Sequence, residues 1–337
     1  MKCRNCGADV SSELTEGLCG ACRTQAEKTV LHRTSDVFDK ADRETTIQET
    51  DAPTKPTQGR KVWSSGENCC VWPMLVARSP NGEILVLDSP EDFRLVRFDT
   101  QGNCLGTLVE IPAEDEEGGV EDPQDLCVDA RGGLYVPDGG NDRISVFRPD
   151  GAFDRWIGLE GSLPGQFLHP SALDVDADGF IYVADTYNYR IQRISADGLV
   201  DLEVRELGDW GNPQSLVALS VDPNGNIWIA DAELNAVLKL DSAGKVIASL
   251  PDAPGRASPF VDLTDVHCDA TGLLYISDAR NQRIQRVEND RKITGLIDLR
   301  GGDAPISGAG NIAILDNCIV LPERQNDRIV CIAFDTS

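Results

Sequence analysis

The stretch Pro170-Ser171-Ala172-Leu173-Asp174-Val175-Asp176-Ala177-Asp178-Gly179-Phe180-Ile181-Tyr182-Val183-Ala184-Asp185 decides the fold, together with its continuation Asn188-Tyr189-Arg190-Ile191-Gln192-Arg193-Ile194. An apolar run meets an Asp-Gly turn, and a β-branched and aromatic run then closes on Asp185. A further alternating run opens at Arg190-Ile191. Each run has the length and composition of a strand. Each turn has hairpin chemistry, because Gly and Asn accept positive φ.

The succession recurs. The acid that closes the second strand falls at Asp88, Asp138, Asp185, Asp231, Asp278 and Glu323, at intervals of 50, 47, 46, 47 and 45 residues. A period near 46 residues holding four short strands is the signature of a β-propeller blade. Six copies predict an all-β, six-bladed propeller. Fourth strands are expected near Leu105–Val109, Phe153–Ile157, Leu202–Leu207, Val246–Leu250 and Ile293–Leu299. The sixth copy runs out at Phe334 with three strands. Lys61-Val62-Trp63-Ser64 is expected to supply the missing strand by pairing with Arg328–Phe334, which removes two open sheet edges.

The pattern Pro…Val-Asp-x-x-Gly-x-x-Tyr-Val-x-Asp…Asn-x-Arg-Ile resembles the NHL repeat, as does the lead-in Gly161-Ser162-Leu163-Pro164-Gly165-Gln166-Phe167-Leu168-His169-Pro170. The resemblance covers about residues 61–334, and copies two, three and five match well. Copy one carries an extra residue before Arg94, copy four has Ala236 where Arg is expected, and copy six has a shortened first hairpin. Propellers similar to these include peptide-amidating lyases, which use several histidines around an axial metal. Here the propeller has only His169 and His267.

The domain reading is threefold: a cysteine finger with a short helix over 1–35, a polar linker over 36–59, and the propeller over 60–337. Cys3, Cys6, Cys19 and Cys22 form C-x2-C…x12…C-x2-C. Two-residue spacing lets both thiolates of a knuckle reach one ion, and four thiolates suit tetrahedral Zn(II) with no open position. A redox dithiol and iron ligation are the alternatives; so short a segment with no core of its own favours a structural zinc, which would drive its folding. The unit looks like the zinc-ribbon or treble-clef fingers that begin many bacterial multidomain proteins.

Three other sets of residues attract a chemical reading. The acid-x4-Arg pairs Asp138/Arg143, Asp185/Arg190, Asp278/Arg283 and Glu323/Arg328, with Asp88/Arg94 one residue longer, recur as structural pins would. Aligned on the closing acid, one innermost-strand position carries Ala77, Cys127, Asp174, Ser220, His267 and Ile312. Asp174 and His267 can thus face the central channel, where structural hydrogen bonding competes with metal binding or proton transfer. Glu110–Asp122, joining blades one and two, holds seven acids in thirteen residues and no base. Glu67, Asp209, Trp210, Glu233 and Asp262 are expected on the same face, with Arg256, Arg280 and Arg300 in partial balance.

Charge narrows the function. The 337 residues carry 56 acids and 31 bases, a net of −25. Residues 1–59 account for only −2 of it, so the propeller carries −23. That argues against nucleic acid, which basic surfaces bind, and for a basic protein or peptide partner. No run reaches the roughly 18 apolar residues of a membrane span. The absence of an apolar leader and the 11 scattered or knuckle-spaced cysteines point to a reducing, cytoplasmic setting. Cys127, Cys268, Cys318 and Cys331 read as small buried hydrophobes, and Cys69-Cys70 as packing near the ring closure. The function expected is a non-catalytic scaffold that binds through the acidic loop face. The alternative is a metal-dependent lyase or lactonase working in the channel.

Overall fold

The computed structural model describes residues 57–58, 60–65, 69–89, 91–112, 116–288, 292–300, 310–316 and 318–333. The four finger cysteines, Glu67 and residues 113–115 of the acidic loop lie outside them.

Six four-stranded antiparallel blades follow one another along the chain. Blade 1 comprises Pro73–Arg78, Ile84–Asp88, Arg94–Phe98 and Cys104–Glu110. Blade 2 comprises Cys127–Val128, Leu134–Asp138, Arg143–Phe147 and Phe153–Ile157; blade 3, Pro170–Val175, Ile181–Asp185, Arg190–Ile194 and Val200–Val204. Blade 4 comprises Leu216–Val221, Ile227–Asp231, Ala236–Leu240 and Val246–Leu250; blade 5, Leu263–Cys268, Leu274–Asp278, Arg283–Glu288 and Lys292–Asp298. Blade 6 comprises Ala313–Leu315, Cys318–Glu323, Arg328–Ala333 and, from upstream in the chain, Arg60–Ser64. The fourth strand of blade 3 begins two residues earlier than expected and ends at Val204, because Gly198 closes the hairpin tightly onto Ser195.

The second strands are continuous apolar runs, such as Ile181-Tyr182-Val183-Ala184, and are buried end to end. Both faces of each blade pack on a neighbour, so alternation gives way to uniform apolarity. Burial sorts into six apolar clusters, one per blade junction, each drawing on two consecutive blades; the last joins Val320, Ile329 and Cys331 of blade 6 to Val76, Val86 and Val96 of blade 1.

The seam closes as expected. Arg60–Ser64 runs antiparallel to the last strand, with Trp63 opposite Cys331 and Ser64 opposite Val330. Ser65 continues the pairing, donating from its N–H to the Ile329 carbonyl at 3.0 Å. Trp63 reaches further, donating from Nε1 to the Thr100 carbonyl of blade 1 at 3.0 Å, with its ring against Gly102. Gly102 has φ +82°, and a Cβ there would overlap the indole. Thr57–Gln58, inside the stretch read as linker, adds a short parallel strand to the outer edge of blade 5.

Two pairs of cysteines differ from expectation. Cys69 is bonded to Cys104, and Cys318 to Cys331, with Cα atoms 6.4 and 6.2 Å apart. Sequence spacing could not show this, because each pair meets across strands or loops. Cys70, Cys127 and Cys268 are free. Among the described residues no helix is long and apolar enough to cross a membrane.

Candidate functional site

The acid-x4-Arg pairs are pins, and the structure shows what they hold. Each closing aspartate is fully buried and accepts backbone N–H groups from the segment leading into its own blade: Asp88 from Val71 and Trp72, Asp185 from Leu168, Asp278 from Val261 and Asp262. The arginine then bonds the same carboxylate and grips that segment's carbonyls. Arg190 is the fullest case. Its Nε meets Asp185 Oδ2 at 2.7 Å, and its two Nη atoms donate to the carbonyls of Ser162, Leu163 and Gln166 at 2.8–2.9 Å. In blade 4, where Ala236 replaces arginine, four N–H groups, from Gln214, Ser215, Glu233 and Leu234, converge on Asp231 instead. These bonds place the blade-joining loops and the turns after each closing acid on one face of the disc.

The channel holds a second set of polar residues. Asp174 and His267 both line a cavity of about 460 Å³, as the sequence indicated, but in blade 6 the shortened hairpin brings Ala313, not Ile312, to the equivalent position. Ala313 faces Val320, as Asp174 faces Tyr182, and Ile312 is buried in the junction with blade 5. One layer along the axis stand Asp125, Asp265 and Asn311, which sequence reasoning missed. Asp125 and Asp265 precede Cys127 and His267 by two residues on the same strand face, and Asn311 stands two before Ala313. Extending the alternation by one step would have found them.

Their bonds identify their task. Asn311 Oδ1 accepts the Val76 N–H at 2.7 Å, from blade 6 to blade 1. Asp125 takes the Leu173 N–H at 3.2 Å, and Asp174 takes those of Val221 at 2.8 Å and of the Ser220 hydroxyl at 3.1 Å. Ser220 Oγ accepts from Cys268 N at 3.1 Å, and Asp265 from Ile312 N at 2.7 Å. Each polar side chain therefore rivets its innermost strand to the amide of the next blade, at five junctions. Among the described residues no cluster of three or more His, Cys, Asp or Glu side chains is arranged to hold a metal.

Burial shifts the titration of this layer. Desolvation raises Asp125 to about 7, assisted by the Asp174 charge, and raises Asp265 well above the carboxylate range. Desolvation lowers His267, against the opposing pull of Asp174 and Asp269. At neutral pH the channel thus carries a neutral His267 imidazole and a partly protonated Asp125.

The sign for stability follows. Between about pH 4 and pH 7 folded Asp125 holds a proton that the unfolded chain has released, so its contribution is present at acid pH and lost as pH rises through 7. His267 acts oppositely, its contribution being lost as pH falls below 6.5. Asp125→Asn keeps an acceptor for Leu173, removes the first effect and also takes away the charge that helps raise Asp265. Urea unfolding of this variant against the parent is expected to show a gain that grows from pH 5 to pH 8, on the order of 2 kcal/mol after allowance for channel water. A pH-independent difference would sink the assignment.

On the loop face, Ile111 and Val120 of the acidic segment are buried against blades 1 and 2, which leaves Glu116, Glu117, Glu121 and Asp122 in solvent. Asp209, Glu233 and Asp262 are exposed and Trp210 is half-buried. Arg256 and Arg300 are paired with Asp252 and Asp298, at 3.1 and 2.9 Å. Trp72, Tyr187 and Tyr189 stand about half exposed.

Residues 167–194 match the NHL repeat. The chain is 30% identical over 132 residues to the peptidylglycine alpha-amidating monooxygenase of Rattus norvegicus, and likewise to that of Mus musculus. Each match covers 35% of this chain and 14% of the relative, so the chain spans a small part of those proteins. Among solved structures, a streptogramin B lyase superposes with a TM-score of 0.57 at 14% identity, over 82% of this chain and 97% of that one. The virginiamycin B lyase of Staphylococcus aureus gives 0.55 at 14%, over 82% and 99%, and a putative gluconolactonase 0.55 at 14%, over 83% and 93%. At such identity the likeness concerns the fold. Repeat match, blade count and superposition converge on a six-bladed β-propeller that carries an NHL repeat.

Proposed function

We propose that this propeller is a non-catalytic protein-binding module whose loop face receives a basic partner. The observation that carries the reading is the division of its charges. The blade pins and channel rivets engage most of the buried acids, while the loop face presents Glu116, Glu117, Glu121, Asp122, Asp209, Glu233 and Asp262 to solvent beside exposed aromatic rings. Such a field raises encounter rates with basic partners and fades with salt. Affinity capture with Glu116→Gln/Glu117→Gln is expected to lose partners that the parent retains. An unchanged partner set removes this face from the argument.

A second reading, a lyase or lactonase in the channel, is supported by the 460 Å³ cavity with His267 on its wall and by the enzymes among the similar proteins. Its test is metal content. One zinc per chain, lost in Cys3→Ser/Cys6→Ser, fits a structural ion held by Cys3, Cys6, Cys19 and Cys22 alone. A further ion that survives that change and is lost in Asp174→Ala would favour the enzyme. A cytoplasmic location carries its own condition, since Cys69, Cys104, Cys318 and Cys331 would stand there as thiols. Alkylation without reductant, read by mass, distinguishes the paired from the reduced state.

A further inference from the structure

The turn between the second and third strands ends in a left-handed residue in five blades: Asp142, Tyr189, Asn235, Gln282 and Asp327, with φ between 48° and 55°. Asp and Asn adopt this conformation readily, whereas a bulky ring there is disfavoured. Of these five blades only blade 3 places an aromatic at this position, and it places a second, Tyr187, two residues earlier, where the other four have Gly140, Glu233, Arg280 and Gln325. Both rings are about half exposed, at 51% and 52%. Nothing in the packing of blade 3 requires them, since its core is filled from the strands.

Tyr187 is nevertheless fixed. Its ring stacks on His169 with centroids 4.6 Å apart and planes 22° from parallel. His169 is itself left-handed at φ 51°; its backbone N–H donates to Asp142 Oδ1 at 2.6 Å, and its Nδ1 lies 3.3 Å from the Gly139 carbonyl. The platform therefore spans the junction of blades 2 and 3. Carboxylates lie near its His169 base: Asp142 accepts the His169 N–H, Glu160 is near enough to act on the Asp142 charge, and Glu121 stands beside Gly140. The neighbouring arginines are engaged elsewhere. Arg190 is buried on Asp185, Arg143 lies between Asp138 and the Trp156 ring, and Arg205 pairs with Glu203. A stacked aromatic face with carboxylates near its base is complementary to a cation.

We propose that Tyr187, seated on His169, is the docking point for a lysine or arginine side chain of a basic peptide segment, with Asp142 and Glu160 near that base and Tyr189 widening the platform. This rests on the reading that the loop face receives a basic partner, and it names where the contact is made.

The test is calorimetric titration of the full chain with hexalysine and hexa-arginine at low salt, with hexaglutamate as control. Both cationic peptides are expected to bind. Tyr187→Ala should weaken binding about three- to thirtyfold, the range of a cation–π contact, while Tyr187→Phe keeps it within about twofold. Tyr189→Ala should weaken it less than Tyr187→Ala. A thermal melt matching the parent certifies each variant, and binding by Tyr189→Ala gives an independent reading should Tyr187→Ala melt early. Undiminished binding by Tyr187→Ala, with loss in Glu116→Gln/Glu117→Gln, would overturn this docking point and leave the loop-face reading standing. No binding of either cationic peptide by the parent would overturn both.

Discussion

Arg190→Ala is expected to destabilise the propeller by about 3–5 kcal/mol, the usual loss when one partner of a buried ion pair is removed. The guanidinium is wholly buried and makes charge-assisted contacts with Asp185 and Glu203, both at 2.7 Å. Three loop carbonyls complete its hydrogen bonding. Alanine leaves the Asp185 carboxylate buried without its cation and those carbonyls without donors. Arg190→Lys should recover little, because an ammonium cannot reproduce the planar fork. Arg143→Ala is the comparison: Arg143 is partly exposed and meets Asp138 at 3.4 Å, so its loss should be smaller. Urea unfolding at pH 7 measures all three, and a change below about 1 kcal/mol for Arg190→Ala would contradict the pinning role.

A chain beginning at Ser65 is expected to lose monodispersity as well as stability. Without Arg60–Ser64 the last strand, Arg328–Ala333, presents an unpaired apolar edge, the setting for strand-to-strand association. The indole bridge from Trp63 to blade 1 goes with it, and the cluster around Cys331 and Val96 opens to water. Compared with a chain beginning at Thr57, the melting temperature should fall by about 10 °C or more, with oligomers on size exclusion. A monomeric product with an unchanged melt would show that the seam holds without its closing strand.

The legible part of the fold followed from local chemistry that repeats. Asp-Gly turns, β-branched runs and the closing acid each declare themselves within a few residues, and their period counts the blades. The acid-x4-Arg pin was readable because both partners lie on adjacent strand ends, five residues apart at Asp185 and Arg190. The channel was half legible. Asp174 and His267 stand out in the alignment, but Asp125, Asp265 and Asn311 do not, because their partners are backbone amides of another blade, some 47 residues away in the case of Asp265. Ile312 was misplaced because a gapless alignment cannot register a shortened hairpin.

What the amino-acid sequence determined unaided was the number of blades, the closing strand and the sign of the surface charge, since periodicity and composition are properties of the chain itself. The cysteine pairs, the riveting of the channel and the seating of Tyr187 on His169 were decided only by tertiary structure. Each depends on which distant segments the ring brings within a few ångströms, and no spacing along the chain encodes that distance.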